Sequence, residues 1–331
     1  MPKDDRVFDA LILGGGPAGL SAAVYLGRYL RQTLVLNECK PLNRWNRPTA
    51  HNLLGFPGGI MRSQLLQWAK DHLSKYETVQ HTDATVTQIE RRDDLFHLTT
   101  AEGGTYRGRS LLLAPGVMHP LPEIPHIWDY AGYSVHHCPE CDGIASHGKR
   151  AVVIGCGRGT TEMALNLLIW ADEVSICCDN TDPSLDEECC SKLGAQNICV
   201  HRGRIVEIDG DREARKIRAL ILEDGTRVEC DVVFSNYADV VPLELINQLP
   251  LELHKDRYVC VDHRQRTNVP RCYAAGDICA YSQTQVSVAI GQGATAGIWM
   301  HKELLPEGMR LSEHHGGLVG AAQATPKPAA K

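Results

Sequence analysis

Residues 7–19 read VFDALILGGGPAG, and this stretch decides the fold. Val7–Leu13 is a short apolar run of the kind that forms a buried strand, and it leads into Gly14-Gly15-Gly16-Pro17-Ala18-Gly19. A helical segment, Leu20–Leu30, follows directly. Strand, glycine turn and helix in that order give Gly14-x-Gly16-x-x-Gly19 its meaning. The first glycine allows the tight turn, the second lets the backbone approach a pyrophosphate, and the third lets helix pack on strand. Backbone N–H groups and the positive helix end then hold phosphate. Thr33–Leu36 reads as the next strand, and Glu38 beyond it is positioned to accept from ribose hydroxyls. A glycine turn with no ligand is the competing reading, against which the flanking strand and helix weigh.

Working outward, strand-like runs at Val86–Ile89 and Phe96–Thr100 form a hairpin region, and Leu111–Gly116 closes the first unit. The order then repeats. Arg150–Ile154 is a strand, Gly155-Cys156-Gly157-Arg158-Gly159-Thr160 a turn, Thr161–Trp170 a helix and Glu173–Cys178 a second strand ending at Asp179. Ile205–Ile208 and Ile217–Leu222 precede Gly225, and Asp231–Ser235 closes the unit. One GxGxxG is a weak signal; the same element order found twice is far stronger. After Tyr237 come Ala274-Ala275-Gly276-Asp277 and a helical run, Gln285–Leu304. The expected fold is α/β, with two Rossmann-like dinucleotide-binding domains, the second inserted in the first. Residues 1–119 and 240–311 form one domain and 120–239 the other, with 312–331 as a flexible tail of low complexity.

GGGPAG near the start, LLLAPG at 111–116, CPECDG at 138–143 and YAAGD at 273–277 occur in an order that resembles the low-molecular-weight thioredoxin reductases. The likeness covers about residues 6–304. It implies FAD in the first domain, held around Gly14, Gly16, Pro17, Ala18, Gly19 and Glu38, with Val86, Ala114 and Gly116 alongside. It further implies that Gly276 and Asp277 meet the ribityl-phosphate region. Gln285 and Val286, at a helix N-terminus, would face the flavin pyrimidine edge, where the helix dipole stabilises negative charge. Asn52 is a candidate flavin contact, and a plain turn asparagine is the equal alternative. The resemblance also implies a homodimer and a thioredoxin or another dithiol/disulfide as partner.

Cys138-Pro139-Glu140-Cys141-Asp142-Gly143 is the expected chemical centre. Two thiols this close can form a disulfide, one attacking an external disulfide while the other resolves it. The resemblance assigns Cys141 to the flavin side and Cys138 to the external attack, with Asp142 as acid/base for the leaving thiolate. Glu140 should raise the thiolate pKa, and the preceding His136 and His137 can offset it when protonated. His137 is the candidate tuning residue; both histidines as exposed loop residues is the even alternative. Zinc would require a second ligand pair of similar spacing, so no metal is expected. The remaining cysteines read as small buried hydrophobes.

In NADPH-using members of the family a basic run follows the second strand of the second unit. Here Cys177, Cys178, Asp179 and Asn180 stand there, and an aspartate repels a 2′-phosphate while suiting the free ribose of NADH. Arg158 places a large side chain in the glycine loop, and Thr160 replaces a small residue. Two readings stay open, a weak NADH site or a domain that has lost nucleotide binding; the second is favoured, with ferredoxin as a candidate donor. Asp142 leans toward a reductase, where dithiol oxidases of this fold tend to have histidine. A flavin dithiol oxidase passing electrons to oxygen and a flavin-based redox sensor are the rivals. Thr284-Gln285 replaces the family's Arg-Gln pair. Tyr237, at the crossing between domains, could stack on the flavin or simply pack at the interface, and His314 and His315 could cover it from the tail or be disordered.

The chain carries 43% hydrophobic residues and a formal net charge of -6, which gives no case for nucleic acid as partner. Arg28, Arg31, Lys40, Arg44 and Arg47 form a modest basic cluster that could receive an acidic protein, though a solvated surface is the simpler reading. No stretch is apolar enough for a membrane span, and no signal peptide is evident. Thirteen cysteines is an odd count, which fits reduced thiols in a cytoplasm better than a secreted disulfide framework.

Overall fold

In the computed structural model, which describes residues 6–37, 49–178 and 185–310, Leu11 lies opposite Leu34 on one side and Leu111 on the other. These apolar runs build a five-stranded parallel sheet in the order Cys272–Ala274, Leu111–Leu113, Ala10–Leu13, Thr33–Asn37, Val79–Asp83. A parallel sheet is buried on both faces, so its inner strands are apolar throughout rather than alternating, while the edge strand Val79–Asp83 (VQHTD) is polar and only partly buried. Ile12 and Val35 face a layer with Leu20, Leu26, Ala296 and Met300, from helices Pro17–Arg28 and Val286–Glu303. Leu11 and Leu34 face the other way, onto Ile89, Phe96 and Leu98. Those three come from an antiparallel layer of Val86–Arg92, Leu95–Thr100 and Thr105–Gly108.

The strand expected over Val7–Leu13 is two strands in two sheets. Val7–Phe8 pairs with Thr105–Gly108, while Ala10–Leu13 enters the central sheet. Asp9 marks the break, because its carboxylate is drawn out toward Arg109 and Arg31 (3.5 and 4.0 Å) instead of entering an apolar layer. Both helices after the glycine turns also start earlier than expected, at Pro17 and Arg158. Proline suits the first helical position, where its missing N–H is not needed, so the turn feeds the helix at once. Helices Arg62–Leu73 and Glu187–Ala195 were not anticipated.

The second unit repeats the plan. Its parallel sheet runs Cys199–Arg202, Glu173–Cys178, Arg150–Ile154, Val232–Ser235, Val135–His136, and Ile205–Asp211, Lys216–Leu222 and Arg227–Glu229 form the antiparallel layer. The edge strands differ in origin. Cys272–Ala274 returns to the first sheet after the whole second unit, so two Rossmann-like domains are nested, one inside the other. Val135–His136 comes from before the second glycine loop and pairs with Val233 and Phe234. Sequence reading missed that strand, which is two residues long. The outward and return crossings of the chain pair at Met118 and Val240. No helix among the described residues is long and apolar enough to cross a membrane.

Candidate functional site

The edge strand Val135–His136 delivers the cysteine pair. Two residues on, Cys138 caps the short helix Pro139–Asp142, its sulfur accepting from the Cys141 backbone N–H at 3.2 Å. One helical turn brings the two cysteines to a Cα separation of 5.3 Å, and they form a disulfide. Cys138 is buried and Cys141 partly so. The Gln285 side chain lies against both sulfurs, its Nε2 at 3.4 Å from Cys138 Sγ and 3.3 Å from Cys141 Sγ. Its Oε1 accepts from Asn52 Nδ2 at 2.8 Å. Gln285 is the N-cap of helix Val286–Glu303, so the disulfide meets the N-terminal end of the helix that flanks the first glycine loop, with Asn52 reaching it through Gln285.

A cavity of about 860 Å³ opens beside that loop. Gly14, Gly16, Pro17, Ala18, Val86, Ala114, Gly116, Gly276 and Asp277 line it, together with Arg62 and Lys70. Gly14 has φ +115°, and a Cβ there would overlap the Ala114 carbonyl; only glycine satisfies both conditions. Gly19 lies beneath, where a Cβ would strike the Gly14 carbonyl. Asn37 braces the turn, accepting from the Gly15 N–H at 3.1 Å. Glu38 and the tail, with His314 and His315, lie outside the described residues, as do Lys40, Arg44, Arg47, Asp179 and Asn180.

Burial pushes the Asp277 carboxyl above its usual range, with His119 and Arg62 opposing the shift. Burial also draws the Arg62 guanidinium down, while Asp277 pulls it up. An acid and two cations on a glycine-loop cavity of this volume suit a ligand with both hydroxyls and phosphates. The residues present therefore fit FAD. Arg62 and Lys70 were missed by sequence reading, because nothing local marks a helix-borne cation as pointing into a distant loop.

A second cavity, of about 310 Å³, adjoins the first cysteine. His119, His137, Cys138, Glu140, Tyr237 and Asp239 line it. Tyr237 thus borders this space, not the large cavity, and packs against the second unit's core. His119 Nδ1 lies 2.7 Å from Asp239 Oδ1, and its ring stacks on His137 at 4.1 Å between centroids. Glu140 Oε2 stands 3.8 Å from Cys138 Sγ. His136, not His137, faces the catalytic-candidate acid: its Nδ1 is 3.3 Å from Asp142 Oδ2. His136 Nε2 lies 3.1 Å from the Tyr133 carbonyl, which can only accept, so that nitrogen carries a proton. Two buried atoms that both accept would then face each other unless one proton lies between Nδ1 and Oδ2.

The second glycine loop follows the same strand–turn–helix order, with Gly157 at φ +86° where Gly16 is at φ −85°, and it is braced differently. Arg158 Nη2 lies 2.8 Å from Asp186 Oδ2 and its Nη1 2.9 Å from Glu188 Oε2, both on the surface. The Cys189 backbone N–H holds the Asp186 carboxyl below its usual range, and Lys192 followed by Arg158 does so for Glu188. The buried Thr160 hydroxyl donates to the Cys156 carbonyl at 3.0 Å and accepts from Asn236 Nδ2 at 3.3 Å. Cys156 is joined to Cys178 by a second disulfide, Cα to Cα 5.2 Å. This corrects the reading of the remaining cysteines as small buried hydrophobes, as do the exposed Cys190 and Cys199. The strand register sets Ile154 opposite Cys177, which brings the loop residue Cys156 beside Cys178 across 22 residues of chain.

A family model described as pyridine nucleotide-disulphide oxidoreductase matches residues 8–293. The chain is 30% identical to a thioredoxin reductase of Treponema pallidum, covering 87% of this chain and 94% of that one. It is 27% identical to a Bacillus subtilis protein named NADH dehydrogenase, over 89% of this chain and 58% of that one. The crystal structure of a putative thioredoxin reductase from Bacillus anthracis superposes with a TM-score of 0.79 at 25% identity, covering 88% of this chain and 97% of that one.

Proposed function

This chain belongs to the pyridine nucleotide-disulphide oxidoreductase family as a thioredoxin-reductase-like FAD disulfide oxidoreductase, and we propose that it reduces a protein disulfide such as that of thioredoxin, without NADPH as its donor. The observation that carries the reading is the Cys138–Cys141 disulfide held on Gln285, at the end of the helix flanking the large cavity. Residues 1–119 with 240–311 would form the FAD domain and 120–239 the domain that carries the cysteines, in a homodimer. FAD, when bound, supplies two-electron redox chemistry; Gly14, Gly16, Arg62, Lys70 and Asp277 would hold it.

Reduction of the disulfide gives two thiols. Cys138 then attacks the external disulfide, and Cys141 resolves the mixed disulfide by displacing Cys138. Because Cys138 is buried against the second cavity, the attack requires the cysteine-bearing domain to move relative to the first. Gln285 orients both sulfurs until it does. Asp142, next to Cys141 in sequence and 3.3 Å from His136 Nδ1, is the residue we assign to protonate a departing thiolate. Asp142→Asn should lower turnover about 100-fold, while His136→Ala should lower it by less, because it removes a neighbour of the acid and not the acid itself.

The donor reading rests on the second glycine loop. Its arginine is engaged by two carboxylates, and a cross-link ties the loop to the strand where a dinucleotide's ribose would rest. Ferredoxin is the candidate donor, and NADH stays in play, as the Bacillus subtilis relative's name suggests. The test is anaerobic mixing with NADPH, NADH, reduced ferredoxin or a dithiol while following flavin bleaching, then adding thioredoxin. Rapid, complete bleaching by NADPH would sink the donor reading. A single cycle that then stops would indicate a redox sensor. The histidine-lined cavity at Cys138 favours one second reading, a dithiol oxidase for a small thiol substrate. Oxygen uptake with dithiol alone would establish it.

A further inference from the structure

The second disulfide has no role in the chemistry described so far. Cys156 stands between Gly155 and Gly157, whose backbone would face a pyrophosphate, and Cys178 is the last residue of the adjoining strand. The cross-link therefore fixes the glycine loop to the strand tip, the two walls between which a dinucleotide's pyrophosphate and ribose would settle. The fold holds this segment without it. The two strands pair continuously from Arg150 opposite Glu173 to Ile154 opposite Cys177, and the Gly155 N–H donates to the Cys177 carbonyl at 3.1 Å. A bond that the local structure does not need, at a loop whose position decides binding, has the character of a control element.

Its two sulfurs also differ in access. Cys156 is partly exposed, whereas Cys178 is 1% exposed in the layer beneath the helix. An approaching thiolate therefore has one sulfur to attack, and one leaving group.

We propose that Cys156–Cys178 is a second redox site, distinct from Cys138–Cys141, at which thiol–disulfide exchange sets whether the second glycine loop accepts a pyridine dinucleotide. A thiolate of an external dithiol attacks the Cys156 sulfur, and the Cys156–Cys178 bond breaks. Cys178 leaves as thiolate and takes a proton. The dithiol's second sulfur then attacks the mixed disulfide and leaves joined to the first, freeing the Cys156 thiol. Two electrons and two protons have passed from the dithiol, now a disulfide, to the protein, now a dithiol. With the cross-link gone, the strands stay paired up to Ile154 and Cys177, but the Cys156–Gly157 part of the loop is no longer tied to Cys178 and can shift to admit ligand. The inference rests on the reading above only in that the oxidised loop is the closed one.

The experiment uses the full-length, FAD-loaded Cys138→Ser/Cys141→Ser protein, in which only the second pair responds to dithiothreitol. Alkylation followed by peptide mass spectrometry should find Cys156 and Cys178 blocked together in the oxidised protein and freed together on reduction. NADH and NADPH binding, followed by nicotinamide fluorescence, should tighten for at least one of them by about tenfold on reduction, on the order of 1.4 kcal/mol. Cys178→Ser under oxidising conditions should bind like the reduced protein. If that buried substitution prevents folding, Cys156→Ala at the partly exposed end makes the same test. Both cysteines alkylated before any reduction, or less than a threefold change for both dinucleotides between verified states, overturns the proposal. Free thiols without NADPH bleaching sink the switch alone. Rapid NADPH bleaching with the cross-link intact sinks the donor reading as well.

Discussion

The two glycine loops, Gly14–Gly19 and Gly155–Thr160, share the strand–turn–helix order yet present opposite chemistry, and their helix-capping glycines differ, Gly16 at φ −85° and Gly157 at φ +86°. In the first, Gly16 faces open space, Asn37 braces the turn from the side, and Asp277 and Arg62 stand across the cavity. In the second, the arginine is committed to Asp186 and Glu188, Thr160 fills the space under the turn, and a disulfide ties loop to strand. A Rossmann turn is thus a scaffold for a phosphate site, and the side chains around it decide whether the backbone stays accessible.

The sharpest way to break the comparison is to put a methyl group in each loop. Gly14→Ala should abolish FAD retention, read as the flavin absorbance of the purified protein, because φ +115° and the Ala114 carbonyl both forbid it. Gly159→Ala should leave disulfide reduction within about twofold, since its Cβ would meet only the Asn236 side-chain amide, at 3.2 Å. Equal damage at both positions would mean that the second loop works like the first.

Asp277 tests the acid across the first cavity. Its carboxyl pKa is raised by burial above 3.8, so the folded protein favours the protonated form, and ionisation at neutral pH costs stability. That cost is absent below the unfolded value and grows as pH rises through the folded one. Asp277→Asn should therefore raise the Tm of FAD-free protein at pH 7 by roughly 1–3 °C, with no gain near pH 3. FAD affinity should fall about 10- to 100-fold, as for a lost hydrogen bond to a charged group. A lower Tm at pH 7 would refute the account.

Asn37→Ala removes the brace on Gly15 and should weaken FAD binding by about fivefold, the worth of one partly buried hydrogen bond. Titration of FAD-free protein by quenching of flavin fluorescence would measure it. The smallest effect belongs to Arg158→Ala. Its ion pairs are exposed, so Tm should move by no more than about 1 °C and thioredoxin turnover should hold. A large loss of turnover with NADH would instead reveal a phosphate bound there.

Legibility followed the range of the contacts involved. Gly14–Gly19 and Cys138–Cys141 are local patterns, in which a few consecutive residues carry the whole geometry, and both were readable. The nested repeat was readable because element order survives in sequence. Three contacts were not: Gln285 on a disulfide 144 residues away, His136 rather than His137 on Asp142, and Cys156 on Cys178. Neither Tyr237's position in the smaller cavity nor the cations Arg62 and Lys70 had any local signal. The split at Asp9 was missed because an apolar run does not say which sheet it joins.

By itself, then, the sequence determined that there are two Rossmann-like units, that the first is built to take a dinucleotide, and that a CxxC offers two thiols close enough to form a disulfide. Steric need at glycines and the proximity of two thiols are properties of adjacent residues. Only the tertiary structure decided what surrounds them. Sheet register brought Cys156 to Cys178, an edge strand of two residues aimed Cys138, and the helix cap at Gln285 met both sulfurs. Those meetings depend on packing between distant segments, which no short window of sequence encodes.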